Sequence, residues 1–337
     1  MKFLCVGVVT YGVLCAAEPK PDPMELPRIP HTPVAKARET FEVKPGFDLQ
    51  LAAAEPLVAD PIAMSFDAHG RLYVVEMIGY SERREANAGR IRRLEDADGD
   101  GRFEKSVVFA DGLAWPTAVI CYNGGVFVGV TPKILFLKDT TGDGKADVNR
   151  TVLEGFGTGR SRLNVQAMFN SFRWGLDNRI HGCTSYMGGR VKDAAGNTVS
   201  LSGRNFSFDP RTLQLRGEDS TAQHGMSFDD AGRKFTCSNS SHLQALMYPS
   251  RYAGRNPHYA LPSQRVGIAA DGAAAEVFRL SPDEPWRIVR TRWRIAGQVR
   301  GPVEGGGRVS GYFTAATGIT IYRGDAMKGL RGNAFIA

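Results

Sequence analysis

Two loops carry acidic residues at spacings that suit a hard cation. In the first, Asp96, Asp98, Asp100 and Glu104 take positions one, three, five and nine, and Gly101 permits a sharp turn. The carbonyl of Arg102 offers a further oxygen. Oxygen-only donors at this spacing are the donor set of Ca²⁺. An EF-hand puts Glu at position twelve, where Val107 stands here, so the run is a shortened relative of that loop. The second loop keeps Asp139, Asp143 and Asp147, with Thr141 replacing one carboxylate. Fewer charges predict weaker binding. A polar hairpin turn without metal uses the same residue types, and in either case the loops fix a turn rather than perform catalysis.

Six histidines are present: His31, His69, His181, His224, His242 and His258. His224 directly precedes a β-rich segment, and His242 follows an Asn-Ser-Ser turn. Each is a candidate general base, and each can equally be a loop histidine held by hydrogen bonds. Arg160, Arg162, Asn164, Gln166, Asn170 and Arg308 offer guanidinium and amide groups that hold carboxylates, quinone oxygens or sugar hydroxyls. Ordinary loop solvation is the competing reading for each. Zinc hydrolase and serine hydrolase chemistry lack their motifs, since the chain has no HExxH and no GxSxG.

The elements that must position these groups repeat. AMSFDAHGRLYVVEM (63–77) recurs as GMSFDDAGRKFTCSN (225–239), with weaker copies at 117–130 and 171–183. Each is a β-rich run, a turn and a second β-rich run, which predicts a hairpin. A second hairpin, RIRRLEDADGDGRFEKSVVFADGL (90–113), matches KILFLKDTTGDGKADVNRTVLEGF (133–156). Two hairpins per unit give four strands, and radial repetition of such sheets is a β-propeller. Units start near residues 62, 117, 172 and 224, and a fifth occupies 316–337. The fold class is therefore all-β: an incomplete β-propeller of about four and a half four-stranded blades from a six- or seven-bladed ring, read as a fragment of a longer protein.

With strands A to D running outward from the channel, A–B and C–D turns lie on one face. D–A connections and B–C loops lie on the other, around the channel mouth. The aspartate loops are C–D turns. His224, standing where Ile62, Pro116, Phe172 and Thr317 stand in the other units, falls at the mouth with His242, Arg160, Arg162, Asn170 and Arg308.

The chain has 337 residues, with Lys+Arg 42 against Asp+Glu 35 and a net charge of +7. The basic residues are dispersed, which argues against a nucleic-acid partner, because such binding gathers them on one face. Residues 1–17 read as a secretory signal with a basic start, an apolar stretch and a small-residue end, the alternative being an uncleaved anchor. Residues 18–40 read as a proline-rich, extended spacer, and residues 41–337 as the partial propeller. An exported protein of the periplasm or cell surface is expected. Cys121, Cys183 and Cys237 remain after the signal, without CxxC or CxxCH. Cys183 and Cys237 fall at equivalent places in neighbouring units, and no bridge between them is predicted.

FEVKPGFDLQLAAAEPLVADPIAMSFDAHGRLYVVEMIGY, DADGDG, DTTGDGKAD, FRWGLD, HGMSFDDAGRKFTCSNSSH and ATGITIYRGD together resemble a bacterial family of exported propellers labelled membrane-bound dehydrogenases. The resemblance runs from about residue 41 to the end. Family members are similar to soluble quinoprotein glucose and sorbosone dehydrogenases, which hold pyrroloquinoline quinone at the channel mouth. They often continue into HEAT-like repeats and a c-type cytochrome domain. The resemblance implies a sugar or alcohol substrate, His224 as base, Arg308 as quinone partner, and electrons passing to haem c in a further domain. A non-catalytic propeller that binds a glycan or a protein is the alternative.

Overall fold

The computed structural model describes residues 19–158, 163–256, 258–277, 284–300 and 312–337. The chain divides into two units, residues 1–31 with 276–312, and residues 32–275 with 313–337.

The larger unit is built of antiparallel sheets. The first holds β1 (Pro61–Phe66), β2 (Leu72–Glu76), β3 (Gly89–Glu95) and β4 (Lys105–Leu113) in sequence order. The second is built on β5 (Ala118–Tyr122), β6 (Gly125–Val130), β7 (Lys133–Lys138) and β8 (Val148–Phe156). The third sheet starts with β9 (Asn170–Trp174) and β10 (Ile180–Cys183), and a hairpin of β11 (Gly189–Lys192) and β12 (Thr198–Ser200) follows. β13 (Arg204–Phe208) and β14 (Leu215–Ser220) complete the third sheet. The fourth holds β15 (His224–Phe228), β16 (Lys234–Ser238), β17 (Ser241–Leu246) and the short β18 (Arg265–Gly267). β19 (Thr320–Ile321) and β20 (Ala334–Phe335) form a last pair.

Side-chain type explains the strands. β2 and β6, rich in Val, are buried along almost their whole length, as strands covered on both faces must be. The A–B turns are set by an aspartate: Asp67 Oδ1 accepts from the N–H groups of His69 and Arg71 at 2.8 and 3.0 Å. Asp229 repeats this with Ala231 and Arg233 at 3.0 and 2.8 Å. Gly70 and Gly232 follow at φ +78° and +75°, where a side chain is disfavoured.

The first strands of successive sheets lie beside one another, β1 on β5, β5 on β9, β9 on β15 and β15 on β19. Cores form between sheets as well as within them. One cluster joins Phe127 and Phe156 of the second sheet to Phe172, Phe206 and Phe208 of the third, all fully or nearly fully buried. This is the packing of propeller blades, and the repeats predicted at 62, 117, 172 and 224 are the four sheets.

The structure departs from expectation in four places. The β11–β12 hairpin leaves the third sheet and extends the second, in the order β12-β11-β8-β7-β6-β5. Glycines permit this close crossing: a Cβ on Gly155 would lie 2.1 Å from the Arg190 carbonyl oxygen, and one on Gly189 2.4 Å from that of Gly155. The spacer is partly helical, with a 3-10 turn at Pro23–Glu25, α1 (Val34–Ala37) and a second 3-10 turn at Arg38–Thr40. Asp22 Oδ1 caps the first by accepting from the Met24 N–H at 2.9 Å. A further helix, α2 (Ser250–Ala253), separates β17 from β18. In the smaller unit α3 (Pro285–Ile295) appears where no helix was predicted, and Arg292 pairs with Glu25 at 2.7 Å. Residues 1–18, and with them the predicted signal, lie outside the described residues.

Candidate functional site

Strand register decides what stands at the mouth. His224 pairs with Cys237, and Asn170 pairs with Cys183 in the corresponding place of the preceding sheet. Asn170, and not the expected Phe172, is therefore the counterpart of His224. Both strands bulge at the next residue, Ser171 at φ +61° and Gly225 at φ +82°, so the bulges preserve this correspondence. The ungapped match of 171–183 to 225–237 carries the same correspondence, so the expected Phe172 is displaced from it by two residues.

Asn170 is engaged in holding the blades together. Its amide nitrogen donates to the carbonyls of Met168 and Gln223 at 3.0 and 2.9 Å, and its oxygen accepts from Ser171 Oγ at 2.7 Å. Ser171 Oγ accepts from the Gly225 N–H at 3.2 Å. Gln223 Oε1 accepts from the Asn239 N–H, and Asn239 Oδ1 from that of Ala315, at 3.1 and 2.9 Å. The chain of amides ties the third sheet to the fourth and to the segment leading into β19. These bonds occupy the amide that the sequence offers to a cofactor. Arg160, Arg162 and Arg308 lie outside the described residues.

His224 is different. Its ring is half-buried and has no hydrogen-bond partner among the described residues, and burial holds its pKa below the usual histidine value. The imidazole is therefore neutral at pH 7, the form of a base. His242, on β17, instead pairs through Nε2 with Asp271 Oδ1 at 3.2 Å and packs against Phe313 with ring centroids 5.1 Å apart. Beneath these residues the thiols of Cys183 and Cys237 are free, and burial pushes them up to about 12 and about 11. Both stay protonated and inert.

Sequence reasoning missed Trp115 in the connection between the first two sheets. It is 2% exposed, has φ +53°, and its indole N–H is buried without a partner. Tyr80 lies over it at 5.2 Å, with Met77 and Met168 alongside. Left-handed backbone at a bulky residue was legible only from coordinates.

The carboxylate loops lie at the opposite ends of their strands, between β3 and β4 and between β7 and β8. In the first, ligand oxygens of Asp96, Asp98, Asp100 and Glu104 all lie within 4.8 Å of one another. Oxygens at 2.3–2.6 Å from a shared Ca²⁺ have such separations, so the loop fits that ion. The N–H groups of Gly101 and Gly99, donating to Asp96 at 2.9 and 2.6 Å, hold its carboxyl below the usual range. Arg102 contributes its N–H to Asp100 Oδ1 at 2.7 Å.

The second loop is braced differently. Asp139 accepts from the N–H groups of Thr141, Gly142 and Gly144 at 3.1, 2.6 and 2.8 Å. Asp143 accepts from the Lys145 N–H at 2.9 Å, and Asp147 accepts from Thr140 through both N–H and hydroxyl. Arg93 Nη1 lies 3.6 Å from Asp139 Oδ2, supplying a cation of the protein's own. Among the described residues these carboxylates do not converge as those of the first loop do.

Sheets related in this way, stacked inner strand against inner strand, make the larger unit a β-propeller. The chain belongs to the family described as Domain of unknown function (DUF7133), whose model matches residues 33–337. No protein in the curated collection matches its sequence. Among solved structures it is similar to the PQQ-bound aldose sugar dehydrogenase of Streptomyces coelicolor, at 11% identity and TM-score 0.42 over 85% of this chain and 82% of that one. It is also similar to a Trichoderma reesei carbohydrate-active enzyme of family AA12, at 15% identity and TM-score 0.37 over 58% and 53% of the two chains. The periplasmic gluconolactonase of Pseudomonas aeruginosa is similar at 14% identity and TM-score 0.34 over 56% and 53%.

Proposed function

We propose that this chain is an exported oxidoreductase of the quinoprotein sugar dehydrogenase type, acting on a sugar or alcohol hydroxyl at the channel mouth. The observation that carries it is His224: half-buried, held neutral, without a hydrogen-bond partner among the described residues, and at the head of an inner strand. Alcohol oxidation removes a proton and a hydride, and a neutral imidazole takes the proton. When bound, pyrroloquinoline quinone would accept the hydride. The guanidinium groups the sequence offers for its carboxylates, Arg160, Arg162 and Arg308, lie outside the described residues, so no step is routed through it. Electrons would then pass to a c-type haem domain. Ca²⁺ in the Asp96 loop has a structural role in this scheme, remote from His224.

The test is an absorbance titration with pyrroloquinoline quinone and Ca²⁺, followed by turnover of sugars with an artificial electron acceptor. Turnover in the parent and its loss in His224→Ala are expected. A flat titration and no turnover would favour the second reading, a non-catalytic propeller that binds a glycan or protein. The engagement of Asn170, Gln223 and Asn239 in ties between blades favours that second reading.

A further inference from the structure

A cleft of about 300 Å³ opens at the turn ends of the third and fourth sheets, the opposite ends from His224. His181 lines it, with a side chain only 7% exposed and Nε2 3.0 Å from Asp177 Oδ1. The other ring nitrogen, Nδ1, is buried without a hydrogen-bond partner. Gly175 leaves room for this pair, since a Cβ there would lie 2.5 Å from Asp177 Oδ1 and 2.6 Å from His181 Nε2. Glu218, on β14, uses Oε1 to accept from Ser207 Oγ at 2.5 Å. Its Oε2 has no partner among the described residues. Arg251 of α2 adds a guanidinium, and Lys234 places its ammonium 5.6 Å over the Phe228 ring.

These groups select a ligand by charge. An anion would meet Asp177 and Glu218, and a cation would meet Lys234 and Arg251. An uncharged ligand with several hydroxyls avoids both repulsions and bonds to Glu218 Oε2 and the Arg251 guanidinium, because each hydroxyl donates and accepts. The remaining wall is apolar, with Leu176, Leu246 and Met247, and suits the C–H face of a sugar ring. The volume is that of a small-molecule site. We infer that this cleft binds a monosaccharide unit, separately from the channel mouth.

Saturation-transfer NMR on the full chain tests this with methyl α-D-glucopyranoside, methyl α-D-mannopyranoside, methyl β-D-galactopyranoside and N-acetylglucosamine. Sodium acetate and tetramethylammonium chloride are the charged controls. At least one sugar gives a signal and the controls do not. Ala231→Trp fills the cleft from an exposed turn, and Glu218→Gln removes an acceptor. Each weakens binding at least tenfold, read as the sugar-induced shift of the 13C-labelled Met247 methyl in the cleft, whereas Lys105→Gln, on an exposed strand end of the first sheet, leaves it unchanged. A Met247 methyl that no sugar shifts, a preference for either charged control, or a sugar-induced shift that survives Ala231→Trp overturns the assignment. Failure here leaves the His224 reading standing, because that reading is judged by turnover.

Discussion

At the scale of single residues, protonation and coordination carry the predictions. Because burial lowers the pKa of His224, its neutral form persists to more acidic pH than that of a free histidine. Turnover that depends on this base should rise with pH through a midpoint below about 6.5, the ordinary histidine value, and then level off. A pH–rate profile of kcat/KM, which reports the free enzyme, checks this, and a midpoint above that value counts against His224. The same shift has a stability consequence of fixed sign. As pH falls, the unfolded chain protonates this site first, so stability declines from the unfolded-state pKa downward. In the Asp96 loop, CaCl2 should raise the melting temperature of the parent and EDTA should reverse the rise. Stabilisation approaches about 2.7 kcal/mol at a hundredfold excess over Kd. Glu104→Gln together with Asp98→Asn should abolish the shift. The acidic spacing was legible in the sequence because all its donors lie within nine residues. The pairing of His181 with Asp177 needed both the A–B turn and the register of β10.

At the scale of elements, the same position has different weight in different blades. Met64 and Met226 occupy matching places, opposite Val74 and Thr236, yet Met64 is 62% exposed and Met226 0%. Chemical denaturation should therefore separate them. Met226→Ala should cost about 2–5 kcal/mol, and Met64→Ala about 0.5 kcal/mol or less. Gly225 is a second such case. A Cβ there meets the Ile319 N at 2.8 Å and Cys237 Sγ at 2.9 Å, at a φ that disfavours side chains. Gly225→Ala should destabilise by roughly 1–3 kcal/mol, measured by the same denaturation. Ser171→Gly, at the corresponding bulge, loses only one bridging hydroxyl and should cost less. Hairpins were predictable from the alternation of turn residues and β-formers. The bulges were not, because one inserted residue leaves the composition of a strand unchanged.

At the scale of the whole larger unit, sheets are joined by devices that belong to no single repeat. The β11–β12 hairpin follows β10 in sequence but hydrogen-bonds to β8, so it staples the second sheet to the third. Gly189→Val should prevent the crossing with Gly155 and free the β8 edge. Hydrogen exchange should then show faster exchange of β8 amides, with those of β6 little changed. Equal protection of β8 in parent and variant would refute the staple. The amide relay from Asn170 through Gln223 to Asn239 works in the same way, carrying hydrogen bonds from one blade to the next.

The sequence by itself determined the repeat, the four-strand rhythm and the acidic loop, because these arise from local turn chemistry and from side-chain patterns a few residues long. It also put His224 at the head of an inner strand. Tertiary structure decided that β11 and β12 change sheets, that Trp115 is buried in a left-handed conformation, and that Asp177, His181 and Glu218 share a cleft. Each of those depends on backbone approach between segments tens of residues apart, where a missing Cβ or one bulged residue sets the outcome.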